Sequence, residues 1–184
     1  MGKEIDPYLV VGTGRSGTST VAGILHNKMD TFMGNEFVLA NHTNPDGFWE
    51  DMEFYKPNTA FIVGAISFAE WKKEVATVIS ARWEADKPWG FKESKIAVLL
   101  GLYLGFFKSP KIIRCKRKKE LVVSSLMRCY KHSKKRATAF WHTRETLLDN
   151  TLSGKDYLTI HFGEGRIPDE EIIDSIEKKW TNKK

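Results

Sequence analysis

Short apolar runs rich in β-branched residues alternate with longer segments in which apolar residues recur at helical spacing. The short runs predict strands and the longer segments predict helices. Strands are predicted at 8–11, 31–33, 89–92, 111–116 and 156–162, and helices at 18–28, 52–64, 67–83, 96–107, 118–130, 137–150 and 168–180. This alternation favours an α/β fold with a mostly parallel sheet covered on both faces, a three-layer α/β/α architecture.

The bulk composition is that of a packed domain with a basic surface. The 184 residues fit one domain, predicted to span 1–184, and 41% of them are hydrophobic. The net charge of +6 indicates an anionic ligand or partner, although basic runs at 116–119, 131–136 and 183–184 carry much of the excess. Such runs usually lie on solvated surface.

Cysteine usage and hydropathy suggest the compartment. Cys115 and Cys129 are too few for a disulfide framework or a zinc site, and we expect both to be small, reduced core residues. The longest apolar run is too short to span a bilayer, and no signal peptide is recognised. The expected compartment is therefore the cytoplasm.

The segment 12–19 joins the first strand to the first helix and combines glycines, hydroxyl side chains and one arginine. Glycines at 12, 14 and 17 allow the backbone to curl so that successive N–H groups point into one concavity. The start of the following helix adds unpaired donors and partial positive charge. Hydroxyls at 16, 18 and 19 and the guanidinium of Arg15 complete a predicted cradle for a phosphate or a group of similar shape.

This loop differs from a nucleotide P-loop, G-x-x-x-x-G-K-[ST], at one position. The outer glycines have the P-loop spacing and Ser19 occupies the hydroxyl position, but Thr18 replaces the lysine. The only cation in the loop is Arg15, three residues earlier. The loop therefore retains an anion cradle and lacks the lysine that reaches the terminal phosphates of a triphosphate. A generic glycine turn is the alternative, which the concentration of hydroxyls and the arginine disfavour.

The residues that follow the predicted strands also carry polar chemistry. Ligands of open parallel sheets bind at the carboxyl ends of the strands. There the chain has the glycine loop, the segments 34–36 and 92–94, and Arg117. These segments supply cations and hydroxyls, and they contain no pair of aspartates for a metal ion. We therefore predict an anion site along this edge of the sheet.

Two segments form an ordered pair of motifs, the loop Gly14-Arg-Ser-Gly-Thr-Ser19 and the segment 111–125. In the second, an apolar strand ends at Arg117, and Ser125 follows eight residues later. The alternative pairing of Arg114 with Val122 offers no hydroxyl. The pair resembles the 5′-phosphosulfate loop and the 3′-phosphate motif of the sulfotransferases that use 3′-phosphoadenosine 5′-phosphosulfate (PAPS).

Three shorter segments add to this resemblance. Trp89-Gly-Phe-Lys-Glu93 is similar to the strand-end lysine segment of the family. Met33-Gly-Asn-Glu36 is similar to the segment that places a catalytic glutamate in tyrosylprotein sulfotransferases, and Asn44-Pro-Asp-Gly-Phe-Trp-Glu-Asp51 to a segment of some bacterial members. Thr20 and Ser94 stand where cytosolic members carry the adenine-stacking aromatic residue and the catalytic histidine. The resemblance is therefore to bacterial, phage-like or tyrosylprotein-type members.

The resemblance implies a P-loop NTPase-like fold and transfer of a sulfuryl group from PAPS to a hydroxyl or amine. The acceptor would be a small molecule, a glycan or a peptide, and no metal ion is required. Arg15 and Lys92 are implied to be catalytic, with Glu36 as the favoured base. Glu50 and then His42 are the alternative bases. The residues implied to bind PAPS and its product 3′-phosphoadenosine 5′-phosphate (PAP) are Thr13, Gly14, Arg15, Ser16, Gly17, Thr18, Ser19, Arg117 and Ser125.

Two other classes of function stay open. A P-loop kinase or nucleotidase would use a similar loop, but it requires the missing lysine and usually a strand-end aspartate for Mg²⁺. A nucleic-acid-binding protein would use the basic runs and exposed aromatic residues, and its binding would weaken steeply with salt. That function leaves the glycine loop unexplained, and we expect no specific nucleic-acid partner and no membrane span.

Overall fold

The computed structural model describes residues 5–85, 87–165 and 167–180. Its sheet contains β1 (Tyr8–Gly12), β2 (Gly90–Lys92), β3 (Lys111–Arg117) and β4 (Leu158–Phe162), in the order β2-β1-β3-β4. Every neighbouring pair is parallel. The predicted α/β class with a parallel sheet is therefore confirmed.

The strand predicted at 31–33 is wrong. Only Phe32 pairs there, through a single parallel bridge to Trp89 beside the start of β2. Two residues later Gly34 has a positive φ of 141°, which is not a strand conformation. A strand needs consecutive paired residues, as in β2, whose three residues all pair with β1, whereas Phe32 forms only an isolated bridge.

The helices follow the predicted pattern, with differences at their ends. They are α1 (Thr18–Lys28), α2 (Met52–Ile62), α3 (Phe68–Glu84), α4 (Ile96–Tyr103), α5 (Lys119–Tyr130), α6 (Lys134–Leu152) and α7 (Asp169–Trp180). The helix predicted at 96–107 ends at Tyr103 and continues as a 3₁₀ turn over Leu104–Phe106. The helix predicted at 137–150 begins at Lys134, because the Ser133 hydroxyl caps it by accepting from the Arg136 N–H at 3.3 Å.

Alternate residues of β1 face two separate hydrophobic clusters, since successive side chains of a strand point to opposite faces. Leu9 and Val11 pack with apolar residues of α2, α3, α4 and α6. Val10 packs with residues of α1 and α7. Helices therefore cover both faces of the sheet, which agrees with the predicted three layers.

The strand register brings four carboxyl ends to one edge of the sheet. Val10 in β1 aligns with Lys92, the last residue of β2. Gly12, the last residue of β1, aligns with Cys115 in β3, and Arg117 aligns with Phe162. The glycine loop leaves the sheet between Lys92 on one side and Arg117 on the other. Pairing between strands that are distant in sequence therefore brings the predicted site segments to one edge of the sheet.

The remaining expectations concern the cysteines and the surface. Cys115 is fully buried in β3, Cys129 is half-buried in α5, and both thiols are free. Most cations of the 131–136 run are exposed, while the predicted basic tail at 183–184 lies outside the described residues. In the ranges that the structure describes, no helix is both long and apolar enough to cross a membrane.

Candidate anion-binding site

The glycine loop makes its turn through two residues with positive φ. Gly17 has φ 94° and precedes α1, whose first turn receives no side-chain cap. A Cβ atom at Gly17 would lie 2.6 Å from the ring of Phe162 at the end of β4, so glycine is required there on both steric and conformational grounds. Arg15 has φ 73°, an uncommon conformation for a residue with a side chain. The turn therefore depends on left-handed backbone at two positions, and one of them is packed against the end of β4.

A cavity of about 300 Å³ opens beside this loop. The loop contributes Gly14, Arg15, Thr18 and Ser19 to its wall. The end of β2 contributes Lys92, and the segment before α2 contributes Glu50. The cavity is also lined by Val10, Gly12, Phe48, Glu93, Ser94, Lys95, Leu126, Tyr130, His132, Phe140 and Arg144.

Arg15 links the loop to both members of the predicted 3′-phosphate pair. Its Nε donates to the Ser125 hydroxyl in α5 at 3.0 Å, and its carbonyl oxygen accepts from Arg117 Nη1 at 3.4 Å. Ser125 is buried, and the Nε of Arg117 is buried without a hydrogen-bond partner. The fold thus brings Arg15, Arg117 and Ser125 together, although only Arg15 lines the cavity itself. Arg117 lines a neighbouring groove, and Ser125, in α5, is buried behind Arg15.

Arg114, the alternative to Arg117, is already neutralised. Its side chain is 1% exposed, and it pairs with Glu145 at 2.9 Å and with Asp149 at 2.6 Å, both in α6. The hydroxyl of Thr13 donates to the same Glu145. These contacts attach the glycine loop, β3 and α6 to one another, so the guanidinium of Arg114 has a structural role.

Three of the loop residues predicted to bind the donor do not line the cavity. Thr13 is buried and engaged with Glu145. The Ser16 hydroxyl is buried without a hydrogen-bond partner, and a Cβ atom on Gly12 would lie 2.6 Å from it. Gly17 is covered by Phe162. These three residues lie on the side of the loop that faces the protein interior, while Gly14, Arg15 and the start of α1 line the cavity.

Lys92 is held at the far side of the loop by two oxygen atoms. Its Nζ donates to Glu50 Oε1 at 2.7 Å and to the carbonyl oxygen of Phe48 at 2.8 Å. Burial lowers the pKa of Lys92, and the adjacent Glu50 carboxylate opposes that shift. The Ser19 hydroxyl also donates to the carbonyl of Phe48, at 3.0 Å. The segment around Phe48 therefore joins the loop to the end of β2.

The two other candidate bases, Glu36 and His42, lie away from the cavity. The Glu36 side chain is 69% exposed, and its carboxylate lies 3.8 Å from the Lys56 ammonium. His42 is exposed on the loop before α2. Glu50 is buried, lines the cavity and touches Lys92. Of the carboxylates considered from the sequence, the fold brings Glu50 to the site.

Glu93 is a carboxylate at this site that motif spacing did not single out. Its Oε2 accepts from Asn58 Nδ2 at 3.0 Å, and its Oε1 accepts from Lys95 Nζ at 3.0 Å. Asn58 in turn accepts from Trp71 and Tyr103. Burial raises the pKa of Glu93, against the effect of the Lys95 ammonium. Its position directly after Lys92, at the end of a predicted strand, was the sequence feature that could have identified Glu93 as a site residue.

Helix α6 supplies two further wall residues that sequence reasoning missed. Phe140 lies beside Gly14, with 3.7 Å between a ring carbon and the position of an added Cβ atom. The guanidinium of Arg144 stacks on Phe140, 3.5 Å from the ring centre. The helical pattern of α6 does not reveal which of its polar residues face a cavity.

No protein-family model matches this chain, and neither does any curated protein sequence. Across residues 5–85, 87–165 and 167–180, no three His, Cys, Asp or Glu side chains are grouped so that they could hold a metal ion.

Proposed function

We propose that this protein is a sulfotransferase with a P-loop NTPase-like fold, which moves a sulfuryl group from PAPS to a hydroxyl or amine acceptor. The observation that carries the proposal is the position of Arg15. It is the only cation of the glycine loop, and it contacts Ser125 through its side chain and Arg117 through its carbonyl oxygen. A ligand with anionic groups at two separate points matches this arrangement.

The residues present fit such a donor. The uncapped start of α1 and the backbone of the loop offer N–H donors for the 5′-phosphosulfate. Arg117 has a buried Nε without a partner, and Ser125 lies one hydrogen bond from the loop cation. These two residues would hold the 3′-phosphate, which distinguishes PAPS from ordinary adenine nucleotides.

The chemistry needs fixed positive charge where negative charge grows during transfer. PAPS supplies the sulfuryl group on a phosphate leaving group. Arg15 lies on the loop side of the cavity and Lys92 lies at the adjacent strand end, so their charges can stabilise the leaving oxygen and the sulfuryl oxygens. Removing one such donor commonly costs about 10²–10³ in rate.

Glu50 is the base that this geometry favours. In the described part of the chain its Oε1 accepts from Lys92, and no other hydrogen bond to its carboxylate is formed. A proton from the acceptor would pass to the carboxylate of Glu50 as the acceptor oxygen or nitrogen attacks sulfur. Protonation of Glu50 would also weaken its attraction for Lys92, which frees the ammonium charge for the departing phosphate oxygen.

Nucleotide preference tests the proposal. We expect calorimetric titration to show PAP binding at least tenfold more tightly than ADP, because a charged hydrogen bond contributes about 1.5–3 kcal/mol. Arg117→Ala should remove most of that preference. Arg128→Ala, which removes an exposed cation from the same helix as Ser125, is the matched control and should retain it.

Three results would contradict the proposal. Equal affinity for PAP and ADP would show that Arg117 does not bind a 3′-phosphate. Tighter binding of Mg·ATP than of PAP would assign the loop to a kinase or nucleotidase. Binding to arbitrary DNA or RNA that falls steeply with salt, without PAP binding, would indicate a nucleic-acid-binding protein.

A further inference from the structure

Helix α6 runs along the cavity and is attached to the glycine loop at successive points. Glu145 accepts from the Thr13 hydroxyl, and Phe140 packs beside Gly14. Arg144 then lies on the ring of Phe140, with its guanidinium carbon 3.5 Å from the ring centre. The guanidinium therefore stacks on an aromatic ring that also packs beside the loop, and both side chains line the cavity.

Arg144 differs from the other cations of the cavity because it lacks a protein partner. Arg15 donates to Ser125, Lys92 to Glu50 and Lys95 to Glu93. Within the described ranges Arg144 makes no hydrogen bond or ion pair, and its Nε is buried without an acceptor. Leaving a buried charged donor without an acceptor is costly, so a ligand that supplies one is favoured.

The neighbouring carboxylate does not fill this role. Glu93 is close enough to influence Arg144 electrostatically, but its oxygens are engaged by Asn58, Ser94 and Lys95. Burial lowers the pKa of Arg144, which still leaves the guanidinium protonated at neutral pH. The planar fork of arginine suits a carboxylate or sulfate group, which it can bind through two parallel hydrogen bonds.

We infer that Arg144 binds an acid group on the acceptor, so that the acceptor of the proposed sulfotransferase is itself an anion. This inference rests on the proposed function. In the proposed function the donor's anionic groups would be held by the loop, Arg15, Lys92 and Arg117, whereas Arg144 stacks on Phe140 and has no assigned role in donor binding. Aromatic side chains at Phe48, Tyr130 and Phe140 line the same cavity. The acceptor class is therefore a ring compound that carries a carboxylate or sulfate beside the hydroxyl or amine.

A matched pair of probes tests this assignment. The protein is saturated with PAP and titrated by ligand-observed NMR with 4-hydroxybenzoate and, separately, with its neutral analogue 4-hydroxybenzamide. We expect the carboxylate to bind about tenfold more tightly than the amide. Arg144→Gln should erase the difference by weakening only the carboxylate, and Arg144→Lys should retain part of it. Arg136→Gln, at an exposed position in the same helix, is the control and should keep the full preference.

Each other outcome rejects the assignment in a distinguishable way. Equal binding of the two probes, or a preference that survives in Arg144→Gln, would show that Arg144 does not select an acid group. A loss of PAP affinity of tenfold or more in folded Arg144→Gln, checked by its thermal melting, would place Arg144 in the donor site. Failure of the wild-type protein to bind PAP would reject the proposed function, and the acceptor assignment would fall with it.

Discussion

The Nε of Arg15 donates to the Ser125 hydroxyl at 3.0 Å, which connects the glycine loop to a helix 110 residues away in sequence. We expect Arg15→Gln to weaken PAP binding about a hundredfold and Ser125→Ala about tenfold, since the first removes a charge and the second a hydroxyl. Because the two side chains form one unit, the double variant should lose less than the sum of the single losses. Calorimetric titration of the four proteins measures this coupling, and strictly additive losses would show that the two residues bind PAP independently.

The base is tested by comparing two glutamates. Glu50→Gln should lower turnover by about 10²–10⁴ while PAP affinity stays nearly constant, because general-base loss affects the chemical step. Glu36→Gln is the matched control and should remain active, since its side chain is 69% exposed and away from the cavity. Because the acceptor is not identified, turnover is measured as the slow hydrolysis of PAPS, in which water is the acceptor. A fully active Glu50→Gln together with an inactive Glu36→Gln would return the role to Glu36.

Sulfuryl transfer should not depend on a divalent metal ion. Arg15 and Lys92 line the cavity at the loop and at the adjacent strand end, where they can supply the positive charge that Mg²⁺ supplies in a kinase. We expect the rate of PAPS turnover to be the same with a chelator and with added Mg²⁺. Activity that is lost on chelation and restored by Mg²⁺ would contradict the assigned roles of these two cations.

Two loop glycines should respond differently to alanine. Gly17→Ala places a Cβ atom 2.6 Å from the Phe162 ring at a φ of 94°, and should destabilise the protein by about 2–4 kcal/mol. Gly14→Ala, where the nearest ring carbon would be 3.7 Å away, should leave stability nearly unchanged. Denaturant unfolding of both variants measures the difference. Equal stability of the two would show that neither the Phe162 ring nor the positive φ penalises a side chain at position 17.

The buried Asp51 should make stability depend on pH. Burial raises the pKa of Asp51 to about 6, and the nearby guanidinium of Arg82 partly opposes this rise. Arg82 forms ion pairs with both Asp51 and Glu53. Because the folded-state pKa exceeds the unfolded value of about 4, this group stabilises the fold most below pH 4 and loses its contribution as pH rises through 6. Asp51→Asn keeps a helix-capping side chain but cannot titrate. Its unfolding free energy relative to wild type should therefore improve by about 3 kcal/mol between pH 4 and pH 7, since each pKa unit corresponds to about 1.4 kcal/mol. An unchanged difference between the two proteins across that range would show that Asp51 does not titrate there.

Local patterns in the sequence were sufficient to predict the strand, the loop and the helix that form one side of the cavity. The apolar run of β1, the glycine spacing after it and the helical pattern from Thr18 are all properties of adjacent residues, and the structure has them where they were predicted. Arg117 and Ser125 were selected because their spacing resembles the 3′-phosphate motif of the sulfotransferases, and they lie at the end of β3 and in the helix that follows it. The rejection of Arg114 agrees with its ion pairs to Glu145 and Asp149, which no local pattern contains.

Only the tertiary structure decided which carboxylate and which helix face reach the cavity. Glu36 and Glu50 lie in irregular segments whose paths depend on distant contacts, such as the bond from Lys92 Nζ to the Phe48 carbonyl. Arg144 is one of many polar residues on α6, and its exposure to the cavity follows from the packing of Phe140 beside Gly14. Periodicity and turn chemistry act over a few residues, whereas these positions depend on contacts between residues that are more than forty apart in sequence. The strand, the glycine loop and the helix that follows it were therefore predictable from the chain itself, while the set of side chains that line the cavity was determined by how the fold closes around the loop.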